Sequence, residues 1–219
     1  VFFKLFANNR YLYYAFVYFR KLLNTLLMTA LLQRINPNIL VFSLFIILFI
    51  IQRIFFDLIQ DSTISFAASF LYLPHGLRVL ATLVGGRRII PGLLLGHIFS
   101  GIYIHTFANG IGIEFLHILN LKTTIIILLT SIGSSFCVLL ALFMLKINSI
   151  NIKSLTLKTI LLVSILSSII NSFFSNTVYF LSYENWEIGS QFIQYIIGDL
   201  IGTISIFYIL KFSKNMIKF

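Results

Sequence analysis

TTIIILLTSIGSSFCVLLALFML, residues 123–145, runs its whole length without a charged side chain. A bilayer core about 30 Å thick requires roughly 20 predominantly apolar residues of helix, and this segment meets that length unaided. Inside lipid the backbone finds no water, so each peptide N–H and C=O must be paired within the protein, which a helix does by itself. The strict in–out alternation of a membrane barrel strand is absent. The segment is therefore read as a transmembrane helix, and the rest of the chain repeats its character.

Over 219 residues the chain is 59% hydrophobic and 10% charged, with 24 phenylalanines and a mean hydropathy of +1.00. That is too apolar for a soluble domain. Apolar runs between polar breaks predict six spans, at residues 39–56, 62–84, 89–108, 123–145, 159–182 and 191–211. The expected fold is all-α, a polytopic bundle of about six transmembrane helices filling one domain over residues 39–211. Residues 1–38 are basic and aromatic, with Arg20 and Lys21 dividing their apolar runs, and read as an amphipathic helix lying in the interface. Residues 212–219 form a short cytoplasmic tail.

The formal charge of +10 would suggest nucleic acid in a soluble protein. In a membrane chain it reports loops facing anionic lipid, and no nucleic-acid partner is expected. With the N-terminus cytoplasmic, all basic residues except Arg53, Arg78 and Lys122 fall on the inner side or its approaches. The positive-inside rule therefore predicts both termini in the cytoplasm. The lone Cys137 excludes an intrachain disulfide.

Two charges fall inside spans well away from their ends, Arg78 and Asp199. An ionised side chain at the bilayer centre costs roughly 2.5–3.5 kcal/mol on insertion scales, so such residues face the bundle interior and find partners. The two are expected to pair with each other. Arg78 belongs to FLYLPHGLRVLATLVGGRR, residues 70–88, where Pro74 removes a backbone donor and Gly76 loosens the chain, predicting a break in the second span. A half-helix starting near His75 would turn its positive end toward the interior. The stretch reads either as the wall of a ligand site or as a kink with Arg78 snorkelling to the surface.

His75, His97 and His105 lack a carboxylate at ligand spacing, so no metal site and no cofactor are predicted. Gly92 with Gly96, and Gly198 with Gly202, are GxxxG pairs that admit close helix packing, the second pair flanking Asp199. Ser164, Ser168, Asn171 and Ser175 form one polar stripe on the fifth span, either bonding helices together or lining a cavity. The chain contains no phosphate loop, nucleophile elbow or paired catalytic carboxylates, so an enzyme is not expected.

Two blocks carry a family resemblance: LYLPHGLRVLATLVGGRRIIPGLLLGHIFSGIY, residues 71–103, and YIIGDLIGTISIFYIL, residues 195–210. They resemble the membrane-associated sensor domain family, type one, of bacterial signalling proteins. The shared pattern falls on Pro74, Gly76, Gly86, Arg87, Pro91, Gly92, Gly96, Asp199 and Gly202. The resemblance implies a multi-helix sensor of the bacterial inner membrane, of a kind usually fused to a histidine kinase or a diguanylate cyclase. Eight residues follow Lys211, and the usual count of about eight spans is not reached. The expectation is thus a sensor without a fused output domain that binds a small ligand in the bundle and signals through a separate partner. Pro74, His75, Gly76, Arg78, His97 and Asp199 are its candidate ligand-binding or signalling residues. The competing reading is the substrate-binding membrane subunit of an energy-coupling-factor importer, which is similar in span count, size and basic inner face.

Overall fold

The computed structural model describes residues 36–59, 71–107, 120–147, 156–183 and 188–216. The predicted N-terminal interfacial helix, the first part of the second span and the acidic residues Asp61, Glu114, Glu184 and Glu187 lie outside these residues. Within them the chain forms six α-helices and no strand: α1 Pro37–Ile59, α2 Leu73–Gly85, α3 Ile90–Phe107, α4 Leu121–Met144, α5 Leu157–Ser182 and α6 Ile188–Met216. Among the described residues five helical stretches are long and apolar enough to cross a membrane: Pro37–Ile54, Leu73–His105, Leu121–Met144, Lys158–Ser182 and Gln191–Leu210.

The stretch Leu73–His105 contains a sharp turn. α2 ends at Gly85 and is followed by Gly86, whose φ of 60° suits a residue without Cβ, and a 3₁₀ turn over Gly86–Ile89 leads into α3. Past it α3 packs chiefly against α1 and α4. Leu77 and Ala81 of α2 share one apolar cluster with Ile90 and Leu93 of α3 and with Val41 and Phe45 of α1. Further along, Tyr72 before α2 lies beside Ser100 of α3.

Helix starts follow local chemistry. The Asn120 side chain accepts the Thr123 N–H at 2.8 Å to begin α4, and the Thr156 hydroxyl accepts the Thr159 N–H at 3.2 Å to begin α5. Where α4 starts, Lys122 sits 5.1 Å from the ring centre of Tyr183, which closes α5, so these two helices run antiparallel. Arg87, Arg88, Lys146 and Lys158 mark the opposite, basic end of the bundle.

Glycines set the closest approaches. A Cβ on Gly92 would run into the Asn38 carbonyl of α1, and one on Gly96 would stand 2.7 Å from the Phe45 ring. This is the packing role predicted for that pair. Asn38 exploits the approach by accepting the Gly92 N–H at 3.0 Å. A second core cluster joins α2 with α4, α5 and α6 through Leu80, Leu83, Val138, Ala141, Val163 and Phe207.

Candidate functional site

α2 begins inside the bundle. Its first residue, Leu73, follows the non-helical Tyr72, and Pro74 occupies the first turn, where its missing N–H is not needed. The Tyr72 N–H donates to the Gly198 carbonyl at 2.9 Å, and Gly198 lies about 15 Å along α6 from its start at the helical rise of 1.5 Å per residue. A Cβ on Gly202 would collide with the Tyr72 carbonyl, and one on Gly76 would come within 2.6 Å of the Gly202 carbonyl. The GDLIG glycines therefore let a bare backbone segment press into the middle of α6. The Leu73 N–H, an orphan donor of the first turn, is taken by Gln52 Oε1 of α1 at 3.0 Å.

This buried helix start delivers His75 and Arg78 to the bundle centre, where both side chains are fully enclosed. His75 Nδ1 stands 3.1 Å from Asp199 Oδ2 of α6, a close approach without the alignment of a hydrogen bond. On its other edge His75 Nε2 meets the Ser167 hydroxyl at 3.2 Å and the Ser168 hydroxyl at 3.4 Å. Both serines also donate to the Ser164 carbonyl one turn back, the usual resort of a hydroxyl in an apolar helix.

Arg78 and Asp199 do not touch, contrary to the pairing expected from their charges. A relay through α5 and α4 joins them instead. Asn171 Nδ2 donates to Asp199 Oδ2 at 2.7 Å, the Ser134 hydroxyl donates to Asn171 Oδ1 at 2.6 Å, and Arg78 Nη1 donates to the Ser134 carbonyl at 2.8 Å. Arg78 Nη1 also reaches Cys137 Sγ at 3.3 Å, and the Tyr72 ring centre lies 5.9 Å from the guanidinium carbon. The guanidinium is thus satisfied on one nitrogen by a main-chain carbonyl that no charge-pairing argument points to.

Several buried polar atoms around α2 have no hydrogen-bond partner: His75 Nδ1, Arg78 Nε, Arg78 Nη2, Thr82 Oγ1 and Asp199 Oδ1, together with His97 Nε2 on α3. Each such atom in a dry interior costs about 1–3 kcal/mol, and more where the group is charged. A bundle held together by packing alone has no use for so many of them in one region.

His97, the remaining predicted site residue, is buried on the neighbouring helix with its ring edge-on to Phe45 at 4.7 Å. It is near enough to His75 and Arg78 for their charges to interact. Of the candidates, His75, Gly76, Arg78 and Asp199 meet at one place, and Pro74 starts the helix that carries three of them. His97 flanks that place, whereas His105 does not join it. Among the described residues no cluster of His, Cys, Asp or Glu has the make-up of a metal site. The polar stripe on α5 faces inward as a buried seam, and Ser167, Ser172 and Asn176 widen it. Gln52, Ser134 and Tyr72 are members that the sequence analysis missed. A glutamine within LFIIQRIFF was a visible signal, whereas Ser134 acts through its carbonyl as well as its hydroxyl and announces nothing. No protein-family profile, curated protein or solved structure matches the chain.

Proposed function

We propose that this chain is an integral membrane sensory domain that binds a small ligand at the buried start of α2 and passes its state to a separate protein. In this reading the chain crosses the bacterial inner membrane in the six predicted spans, with both termini cytoplasmic. The observation that carries it is the concentration of buried polar atoms without a hydrogen-bond partner on Arg78, Thr82, His97 and Asp199, around a helix start held in mid-bundle. Non-helical backbone at membrane depth is tolerated where it is enclosed by protein or lines a polar cavity, and binding sites of membrane proteins use such interrupted helices. The resemblance of residues 71–103 and 195–210 to a bacterial sensor family supports the same reading.

The placement of α2 suits transmission. Its first turn contacts the ligand groups, while its last turn leads to Arg87 and Arg88 at the basic end, the face that the positive-inside rule assigns to the cytoplasm. A ligand that draws Arg78 or His75 inward biases the tilt of α2 against α6, and with it the position of that basic turn.

The test is crosslinking in the native membrane followed by mass spectrometry of what co-purifies. Recovery of a histidine kinase or a diguanylate cyclase is the expected result. Recovery of a coupling subunit with ATPases would replace sensing by import and make the same residues the substrate site of an energy-coupling-factor importer.

A further inference from the structure

The arrangement of Arg78 narrows the ligand, and the argument rests on the ligand-binding reading above. A guanidinium offers five N–H donors in a planar fork, and its Nε–Nη2 edge matches the two oxygens of a carboxylate. In this chain Nη1 is engaged by the Ser134 carbonyl and Cys137 Sγ, which fixes the plane of the group, while Nε and Nη2 are buried and without partners. The free edge is therefore the bidentate one. Thr82 lies one turn further along α2 on the same face, and its buried hydroxyl also has no partner.

Charge restricts the choice further. Among the described residues of the site Arg78 is the one permanent cation. A monoanion balances the guanidinium, whereas a phosphate group, with a charge near −2, leaves an excess in a low-dielectric interior. We propose that the Nε–Nη2 edge of Arg78 binds the carboxylate of a small monocarboxylic acid.

The experiment uses the full chain in lipid nanodiscs and compares acetate, propionate and butyrate with propionamide, which keeps the shape and loses the charge. The expected result is a concentration-dependent rise of the unfolding midpoint with propionate or butyrate and none with propionamide. Arg78→Lys, which keeps the charge and loses the fork, should bind the acid about ten- to a hundredfold more weakly. If Arg78→Lys does not fold, the propionate–propionamide comparison on the unaltered chain decides the matter by itself. Equal shifts with acid and amide, or undiminished binding by a folded Arg78→Lys, would overturn the proposal. A parallel panel of uncharged and cationic small molecules separates the two levels of the argument. Binding confined to that panel sinks the carboxylate and leaves a ligand-binding domain, while silence in every class sinks both.

Discussion

Replacing Gly202 by alanine puts the central contact of the fold under direct strain. The added Cβ would overlap the Tyr72 carbonyl and stand 3.0 Å from the Leu73 nitrogen. Both obstacles are main chain, so no side-chain rotation relieves them. Ordinary contacts need about 3.5 Å, and α2 must therefore retreat from α6 by on the order of 1 Å. Retreat stretches the bond from the Tyr72 N–H to the Gly198 carbonyl at 2.9 Å. Overpacking costs about 1–3 kcal/mol, and a buried main-chain donor left unpaired a similar amount, so Gly202→Ala should destabilise by about 2–6 kcal/mol. Gly189, in the first turn of the same helix, has nothing within 4 Å of its would-be Cβ. Gly189→Ala should therefore be neutral or stabilising by up to about 1 kcal/mol. Reversible denaturant titration in mixed micelles, followed by circular dichroism, gives both values. A Gly202→Ala protein within about 0.5 kcal/mol of the parent, well below the expected loss, would refute the described approach of α2 to α6.

Other outcomes follow from the same geometry. Asn171→Leu removes the link between Asp199 and Ser134 while preserving bulk, and should cost about 2–4 kcal/mol in the same titration. His75→Ala and Asp199→Ala, measured singly and together, should show a coupling energy of about 0.5–3 kcal/mol; strict additivity would mean that the 3.1 Å approach carries no energy. Gln52→Leu strips the cap from the buried Leu73 N–H and should lower stability by about 1–3 kcal/mol, read from the same unfolding curves. Arg88→Cys and Asn120→Cys, each in a Cys137→Ser background, should react with an impermeant thiol reagent from opposite faces of sealed vesicles, and labelling from one face would break the proposed crossing of the membrane between them.

The helices were legible because their signal is extensive. Each apolar run is bounded by polar breaks, and those boundaries lie within a few residues of the helix ends for α1, α3, α4 and α5. α6 runs past its apolar window into a basic last turn, since backbone hydrogen bonding continues where hydropathy falls. The helix start beside Pro74 was legible for a different reason, a missing donor and a neighbouring glycine. Its depth was not, because the depth depends on Gly198 and Gly202, which sit more than a hundred residues away and read equally well as ordinary helix packing. The partner of Arg78 was misjudged for a physical reason too. Pattern reasoning matches opposite formal charges, but a guanidinium is also satisfied by main-chain carbonyl oxygens, and every residue carries one. Asn171 and Ser134 could then serve as relays, so Asp199 was free to approach His75.

Ligand binding at the start of α2 requires that small molecules reach the centre of the bundle, and the chain carries its own reporter there. Cys137 is the lone cysteine, it is 1% exposed, and its sulfur lies 3.3 Å from Arg78 Nη1. The decisive measurement is the rate at which a small methanethiosulfonate reagent modifies Cys137 in the folded, unaltered protein, compared with the rate of global unfolding. A site that opens to admit a ligand should give modification well ahead of unfolding, slowed when propionate is present. If Cys137 reacts only as fast as the whole protein unfolds, the buried polar groups merely hold helices together and the central claim is wrong.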